Sequence, residues 1–301
     1  MIFSDLLTCT PEEREAIERL AKAEIIRGVG DGKYNPDGLV TRKHMALYID
    51  RDLRWEELAV DEHADSSALL FTMSMTGGSA SWRAPRVLMT NKHVPLNIHS
   101  DGNGTTTVEY RDLLCLANPG LVRWDNSPGS TQKQFHVVWD RLDSRDIAYL
   151  VVPQPEWDAY LAMRERAGLP REPRYINPAE GREVRWAEKC ITFGCPLVRY
   201  EFYLDSGVIG KIRMDRGNET DPIIYAVTSA AINPGNSGGI CVGVDRAFLG
   251  IPSLKPYYGN PLSGGYVPAD NIGEILTAAE IVKWEKRGGI QAELRSLGIV
   301  L

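Results

Sequence analysis

Hydrophobic positions along the chain follow two periods, and the change falls near Ala68. Before it the spacing is helical. Ile17, Leu20, Ala21 and Ile25 share one face behind Thr10-Pro11-Glu12-Glu13. That tetrapeptide is a capping box, with a Thr N-cap, Pro at the first helical position and Glu three residues on. Gly28-Val29-Gly30-Asp31-Gly32 holds too many glycines to stay helical. Thr41 can cap a second helix presenting Met45, Ala46, Ile49 and Leu53. Two helices of this size bury little apolar surface alone, so the segment should pack on the main domain or on copies of itself.

Residues 55–66 are polar and acidic and read as a linker. Short apolar runs then alternate with turn residues. They are Ala68–Met75, Arg86–Thr90, Thr105–Tyr110, His136–Val138, Ile147–Val152, Lys189–Phe193, Ser206–Arg213, Ile223–Thr228, Ile240–Val244, Phe248–Ile251 and Gly265–Val267. Many short strands at such spacing predict a mainly β domain, a barrel or a sandwich. Glu156–Ala167 reads as a helical insertion and Arg171–Arg185 as a Pro-rich, charged surface loop. Ala278–Arg287 and Gln291–Leu297 read as terminal helices. The expected division is a helical module at 1–55, a linker at 56–67, the β domain at 68–277 and a helical tail at 278–301.

Composition narrows the class. With 43% hydrophobic and 25% charged residues, the 301-residue chain has an ordinary globular balance. A net charge of −6 gives no general attraction to nucleic acid or anionic lipid. No apolar run approaches the ~20 residues that span a bilayer. Met1–Cys9 lacks the basic leader and apolar stretch of a secretory signal, which favours a cytoplasmic location. Five cysteines without paired spacing read as reduced thiols rather than a disulfide framework. No four-ligand zinc set is present, and neither metal nor cofactor is called for.

Candidate chemistry centres on Ala231-Ile232-Asn233-Pro234-Gly235-Asn236-Ser237-Gly238-Gly239. A serine hydroxyl needs a base to take its proton and donors to bind the oxyanion formed on attack at a carbonyl. Pro234 and Gly235 suit a tight turn in which the Gly235 and Ser237 N–H groups point the same way. Of His44, His63, His93, His99 and His136, only His93 follows a strand that ends in a small polar residue. Asp146 opens the apolar run Ile147–Val152 and can orient an imidazole, with Asp143 competing for that role.

Those segments carry a resemblance. Thr228–Gly239 resembles the nucleophile region of trypsin-like serine peptidases of the HtrA (Deg) branch. Thr90-Asn91-Lys92-His93-Val94 resembles their histidine motif, usually Thr-Ala-x-His-Val, and Asp146-Ile147-Ala148 their aspartate motif. Ile191–Leu197, Asp205–Ile209, Leu249–Ile251 and Gly264–Ala269 resemble strands of the second barrel. The order His, Asp, Ser matches the chymotrypsin order. The resemblance covers residues 68–275 and implies a chymotrypsin-like double β-barrel cleaving peptide bonds through His93, Asp146 and Ser237. It also implies an oxyanion hole at Gly235 and Ser237. Ala231 would form the base of the specificity pocket and Ser253, Leu254 and Lys255 one wall, favouring small or medium apolar side chains. Residues 278–301 are too few for the PDZ domain usual in that branch.

Residues 3–54 resemble a single S-layer homology module, through Phe3-Ser4-Asp5-Leu6, Ile25-Ile26-Arg27-Gly28, Gly30–Asp37 and Thr41-Arg42. Where that family usually has Thr-Arg-Ala-Glu, this chain has Thr41-Arg42-Lys43-His44. The resemblance implies a docking partner or cell-wall glycan at residues 3–54, with Arg42 as ligand candidate, and a cell-envelope location if the module is functional. A homo-oligomer is equally compatible with it. Two readings stand beside the peptidase: a retired peptidase scaffold that only binds, and a cell-wall-binding protein in which the module dominates.

Overall fold

The computed structural model describes residues 3–22, 26–28, 30–35, 55–72, 77–100, 106–111, 113–118, 120–123, 135–195, 203–215, 221–230, 232, 235–254, 257–259, 266–268 and 273–301. Helix α1, Pro11–Lys22, starts at the expected capping box. The Thr10 N–H donates to Glu13 Oε2 at 2.8 Å, and the Glu13 N–H donates to Thr10 Oγ1 at 3.2 Å. Ile17 and Ala21 of α1 pack with Ile26 and Tyr34 in a small cluster of their own. The second helix expected behind Thr41, and with it Arg42, lies outside the described residues.

The stretch read as a linker is structured. Trp55–His63 forms α2, followed by a 3₁₀ turn at Ala64–Ser66. Ala59 is fully buried in the main core, and His63 Nε2 lies 3.0 Å from the Arg246 carbonyl. Polar residues hold α2 in place: Glu62 pairs with both Arg174 and Arg246. Trp55, Leu58 and Ala59 do stand at helical spacing, but the pattern spans little more than one turn between acidic residues, which is why the stretch reads as a linker.

The β domain has two halves. The first is a seven-stranded sheet built from β1 (Ser67–Phe71), β2 (Gly77–Ala84), β3 (Val87–Thr90), β6 (Leu114–Ala117), β7 (Gly120–Arg123), β8 (His136–Val138) and β9 (Ala148–Val151), in the order β7-β6-β1-β2-β3-β9-β8. A separate hairpin pairs β4 (Leu96–Ser100) with β5 (Thr106–Tyr110). The second half is a closed six-stranded barrel, β10-β11-β12-β17-β14-β13. Its strands are β10 (Lys189–Gly194), β11 (Tyr203–Asp215), β12 (Ile223–Thr228), β13 (Ile240–Gly243), β14 (Phe248–Leu254) and β17 (Gly273–Thr277). The short strands β15 (Tyr257–Gly259) and β16 (Tyr266–Pro268) pair beside it.

One core runs through both halves. Met89 and Tyr149 of the sheet share a cluster with Ile191, Tyr225 and Ile251 of the barrel. The expected tail belongs to it: α4, Ala278–Glu285, and α5, Gly288–Ser296, contribute Ile281, Trp284, Ile290 and Leu294 to the same cluster. The helical insertion is α3, Gln154–Arg166. Its Trp157 and Tyr160 lie against Trp82, with ring centroids 5.0 and 5.2 Å away. Arg164, fully buried, completes the joint by donating to both Asp65 carboxylate oxygens at 2.8 and 2.9 Å.

Candidate active site

The register of two strands brings His93 and Asp146 together. In the β3–β9 pair Thr90 faces Ala148, so the residues just after β3 and just before β9 emerge at one edge. His93 is three residues past Thr90, and Asp146 is two before Ala148. His93 Nδ1 meets Asp146 Oδ2 at 2.7 Å, and the His93 backbone N–H donates to Asp146 Oδ1 at 3.1 Å. An ionised carboxylate only accepts, so Nδ1 carries a hydrogen, and in the neutral ring Nε2 is then the acceptor. The His93 side chain is 47% exposed and that of Asp146 is 13% exposed, an arrangement that seats the anion beneath an accessible imidazole.

Burial alone would raise the Asp146 carboxyl. The hydrogen bond and charge of His93, the Ser253 hydroxyl and the His93 amide together hold it below its ordinary value. Ser253 donates to Asp146 Oδ2 at 2.8 Å and is 3% exposed. Its hydroxyl is a third donor to this carboxylate. Asn91 fastens the same loop by donating through Nδ2 to the Asp146 carbonyl at 2.7 Å. Lys92 Nζ donates to the Asp143 carbonyl at 2.8 Å, and burial pushes its ammonium down against the pull of Asp146, Asp143 and Asp140.

Asp143, the competing acid, faces elsewhere. Both its oxygens accept from Arg145 Nη1 at 3.1 Å, and Oδ2 also meets Arg287 Nη1 at 2.7 Å. Arg145 further reaches Asp221 and Glu280, forming a buried ionic knot under the loop that ends at Asp146.

Ser237 lies in the second half, three residues before β13, and is half-buried. Gly235 takes φ +104° and Gly238 φ +83°, angles that favour glycine. A Cβ on Gly238 would fall 2.3 Å from both the Ser79 carbonyl and Thr90 Oγ1, so that position also has no room for a side chain. β14 ties the two halves of the site: the Gly238 N–H donates to the Pro252 carbonyl at 3.0 Å, and the next residue is Ser253. Among the described residues no hydrogen bond joins Ser237 Oγ to His93 Nε2; such pairs commonly tighten only when substrate is bound. Ala231, Lys255 and the Leu254 side chain fall outside the described residues. Sequence reading passed over Ser79 and Asn91, because neither sits in an apolar run.

A mainly β chain in two halves, with a histidine and an aspartate at the strand edge of one and a glycine-flanked serine on a loop of the other, has the chymotrypsin-like fold. The chain is 25% identical over 202 residues to the human (Homo sapiens) protein named serine protease HTRA3, covering 65% of this chain and 42% of that protein. It is 24% identical over 228 residues to a protein of Staphylococcus haemolyticus named serine protease HtrA-like, covering 71% of this chain and 33% of that protein. It therefore spans less than half the length of each relative. Among solved structures, the inactive form of Rv3671c from M. tuberculosis H37Rv matches with a TM-score of 0.51 at 17% identity, covering 81% of this chain and 93% of that one. That likeness concerns the fold. Residues 2–46 match the S-layer homology domain. No helix among the described residues is long and apolar enough to cross a membrane.

Proposed function

We propose that the protein is a serine endopeptidase in which Ser237 is the nucleophile, His93 the general base and Asp146 the residue that fixes the imidazole. The observation that carries this reading is the two-point contact of His93 with Asp146, which directs Nδ1 to the carboxylate and leaves Nε2 as the ring nitrogen free to serve Ser237. His93 Nε2 takes the Ser237 Oγ proton as Oγ attacks the scissile carbonyl. The N–H groups of Gly235 and Ser237 donate to the oxyanion, and each such donor is worth about 3–4 kcal/mol in the transition state. The imidazolium, stabilised by Asp146, then protonates the leaving amine, leaving Ser237 acylated. Water attacks the ester with His93 again as base, and acid and free Ser237 result. Ala231 at the pocket base, with Ser253, Leu254 and Lys255 forming one wall, favours small or medium apolar side chains before the cleaved bond.

A fluorophosphonate probe tests the reading. The folded protein should label, and Ser237→Ala should abolish labelling. A folded parent protein that stays unlabelled, or labelling that survives Ser237→Ala, sinks it and leaves the binding-scaffold alternative.

The N-terminal match supports a second role in recruitment. Residues 2–46 bring the peptidase to a polysaccharide of the cell envelope, with Arg42 as a contact. Purified cell wall should retain the full chain, and Arg42→Ala should reduce retention. No retention would leave protein docking as the role of the module.

A further inference from the structure

Ser79 joins the two halves of the molecule at the nucleophile loop. It lies in β2, pairs with Leu69 of β1 and is 1% exposed. Its backbone N–H donates to the Ser237 carbonyl at 2.7 Å. Its hydroxyl donates to the Gly235 carbonyl at 2.7 Å and accepts the Cys195 N–H at 2.8 Å. Its carbonyl accepts the Thr90 hydroxyl at 2.7 Å. Every polar atom of this one residue is thus used, and each partner lies on a segment that borders the site. Thr90 ends the strand that leads to His93, Cys195 follows β10, and Gly235 and Ser237 flank Asn236.

Peptide planes give these contacts a consequence. The Gly235 carbonyl belongs to the plane 235–236, and the Ser237 carbonyl belongs to the plane 237–238. Ser79 pins both. The plane between them, 236–237, carries the Ser237 N–H; its own carbonyl accepts the Gly239 N–H at 2.9 Å, and Ser79 holds the planes on either side of it. Gly235, at φ +104°, is the hinge between the plane Ser79 holds and the plane 234–235 that carries its own N–H, so the clamp anchors one side of that hinge. Preorganised donors stabilise an oxyanion because they need not reorient as charge develops. The packing leaves no slack: a Cβ on Gly194 would lie 2.8 Å from Asn236 Cα and 3.1 Å from Ser79 Oγ.

We infer that Ser79 is a positioning residue for the oxyanion-binding turn, acting across the seam through its hydroxyl. The inference rests on the peptidase reading above and adds to it the residue that sets the geometry of the turn. Ser79→Ala removes the clamp on Gly235 and leaves the Cys195 N–H without its acceptor, while the backbone bond to Ser237 remains. His93 and Asp146 keep their own contacts.

The test measures second-order labelling rates with a fluorophosphonate probe across pH, alongside Tm. Ser79→Ala should lower the plateau rate about 10- to 100-fold, less than the 10²–10³-fold of deleting an oxyanion donor outright. The pH at which the rate rises should not move, because the His93–Asp146 pair is intact. General loosening of the fold would instead shift that limb. Should Ser79→Ala melt below the assay temperature, Ser79→Cys carries the test, its weak S–H donor giving a smaller loss of plateau rate. A plateau within twofold of the parent in a folded variant overturns the role of Ser79 and leaves the peptidase reading standing. No labelling of the parent protein removes both.

Discussion

The Ser253 hydroxyl donates to Oδ2 of Asp146, the same oxygen that His93 Nδ1 meets. The residue on β14 and the residue before β9 therefore bind one another across the seam, and the acid of the site is held by both halves. Ser253→Ala should destabilise the protein by roughly 1.5–3 kcal/mol at pH 7, the range for a hydrogen bond to a charged group. The pH dependence follows from the lowered Asp146 carboxyl. A depressed folded-state pKa contributes stability above the unfolded value, near 3.8, and loses it as pH falls through the folded value. Removing one cause of the depression starts acid unfolding at higher pH. Urea unfolding at a series of pH values should show the gap between variant and parent closing below pH ~3.8. A gap that persists undiminished at pH 2 would exclude the mechanism.

Asp146→Asn keeps the shape of the site but lets the amide donate to Nδ1, which places the ring hydrogen on Nε2. Labelling and turnover should fall by about 10⁴-fold, and Tm should fall modestly because the Ser253 hydroxyl and the His93 amide lose a charged acceptor. Asp143→Asn, which disturbs the Arg145 knot instead, should lower Tm and leave the pH profile of labelling where it was. Equal catalytic losses in the two variants would contradict the assignment of the acid.

Much of this site was legible before any coordinates. His93 and Asp146 stand at the ends of apolar runs, and periodicity locates the ends of buried strands well. The glycines around Ser237 announced a turn with unusual backbone angles. Ser79 was not legible, for a physical reason. β2 reads Gly-Gly-Ser-Ala-Ser-Trp-Arg-Ala, and all but its first residue are buried, yet small residues at a close approach of two sheets carry no apolar signal. Helix α2 escaped for the opposite reason, since ion pairs to Arg174 and Arg246 hold it on the core. The C-terminal helices were placed correctly along the chain. Nothing local in their sequence told that Trp284 would lie edge-on to Tyr149, with ring centroids 4.9 Å apart.

The thiols give a test of the buried state. All five cysteines are free; Cys9 is partly exposed and the other four are buried. Burial pushes the Cys195 thiol up to about 12, with the Ser79 hydrogen bond pulling the other way. At pH 8 a disulfide-exchange reagent should react promptly with Cys9 alone in the native protein. The remaining four should appear only on unfolding. Fast reaction of two or more thiols in the native state would contradict the packing around β6, β10 or β13.

Arg145 carries the most demanding prediction. Its guanidinium is 2% exposed and meets Asp143, itself 2% exposed, and Glu280, fully buried, besides the half-exposed Asp221. Arg145→Met fills the volume but leaves the Asp143 and Glu280 carboxylates underground with only Arg287 and Lys283 nearby. Breaking a buried pair from one side costs about 3–5 kcal/mol. The loss should be partly rescued by Arg145→Met combined with Glu280→Gln, because the double variant removes a buried charge that the single one strands. Coupling between sites in direct contact is the signature to look for, and a double-mutant cycle in urea should return an interaction of about 1–3 kcal/mol. Additive losses would mean that Glu280 finds compensation elsewhere, and that α4 is not electrostatically bound to the loop ending at Asp146. If the coupling holds, the effect reaches the site: a loosened Arg145 loop lets Asp146 drift from His93, and labelling by the fluorophosphonate should slow in the single variant and recover in part in the double one.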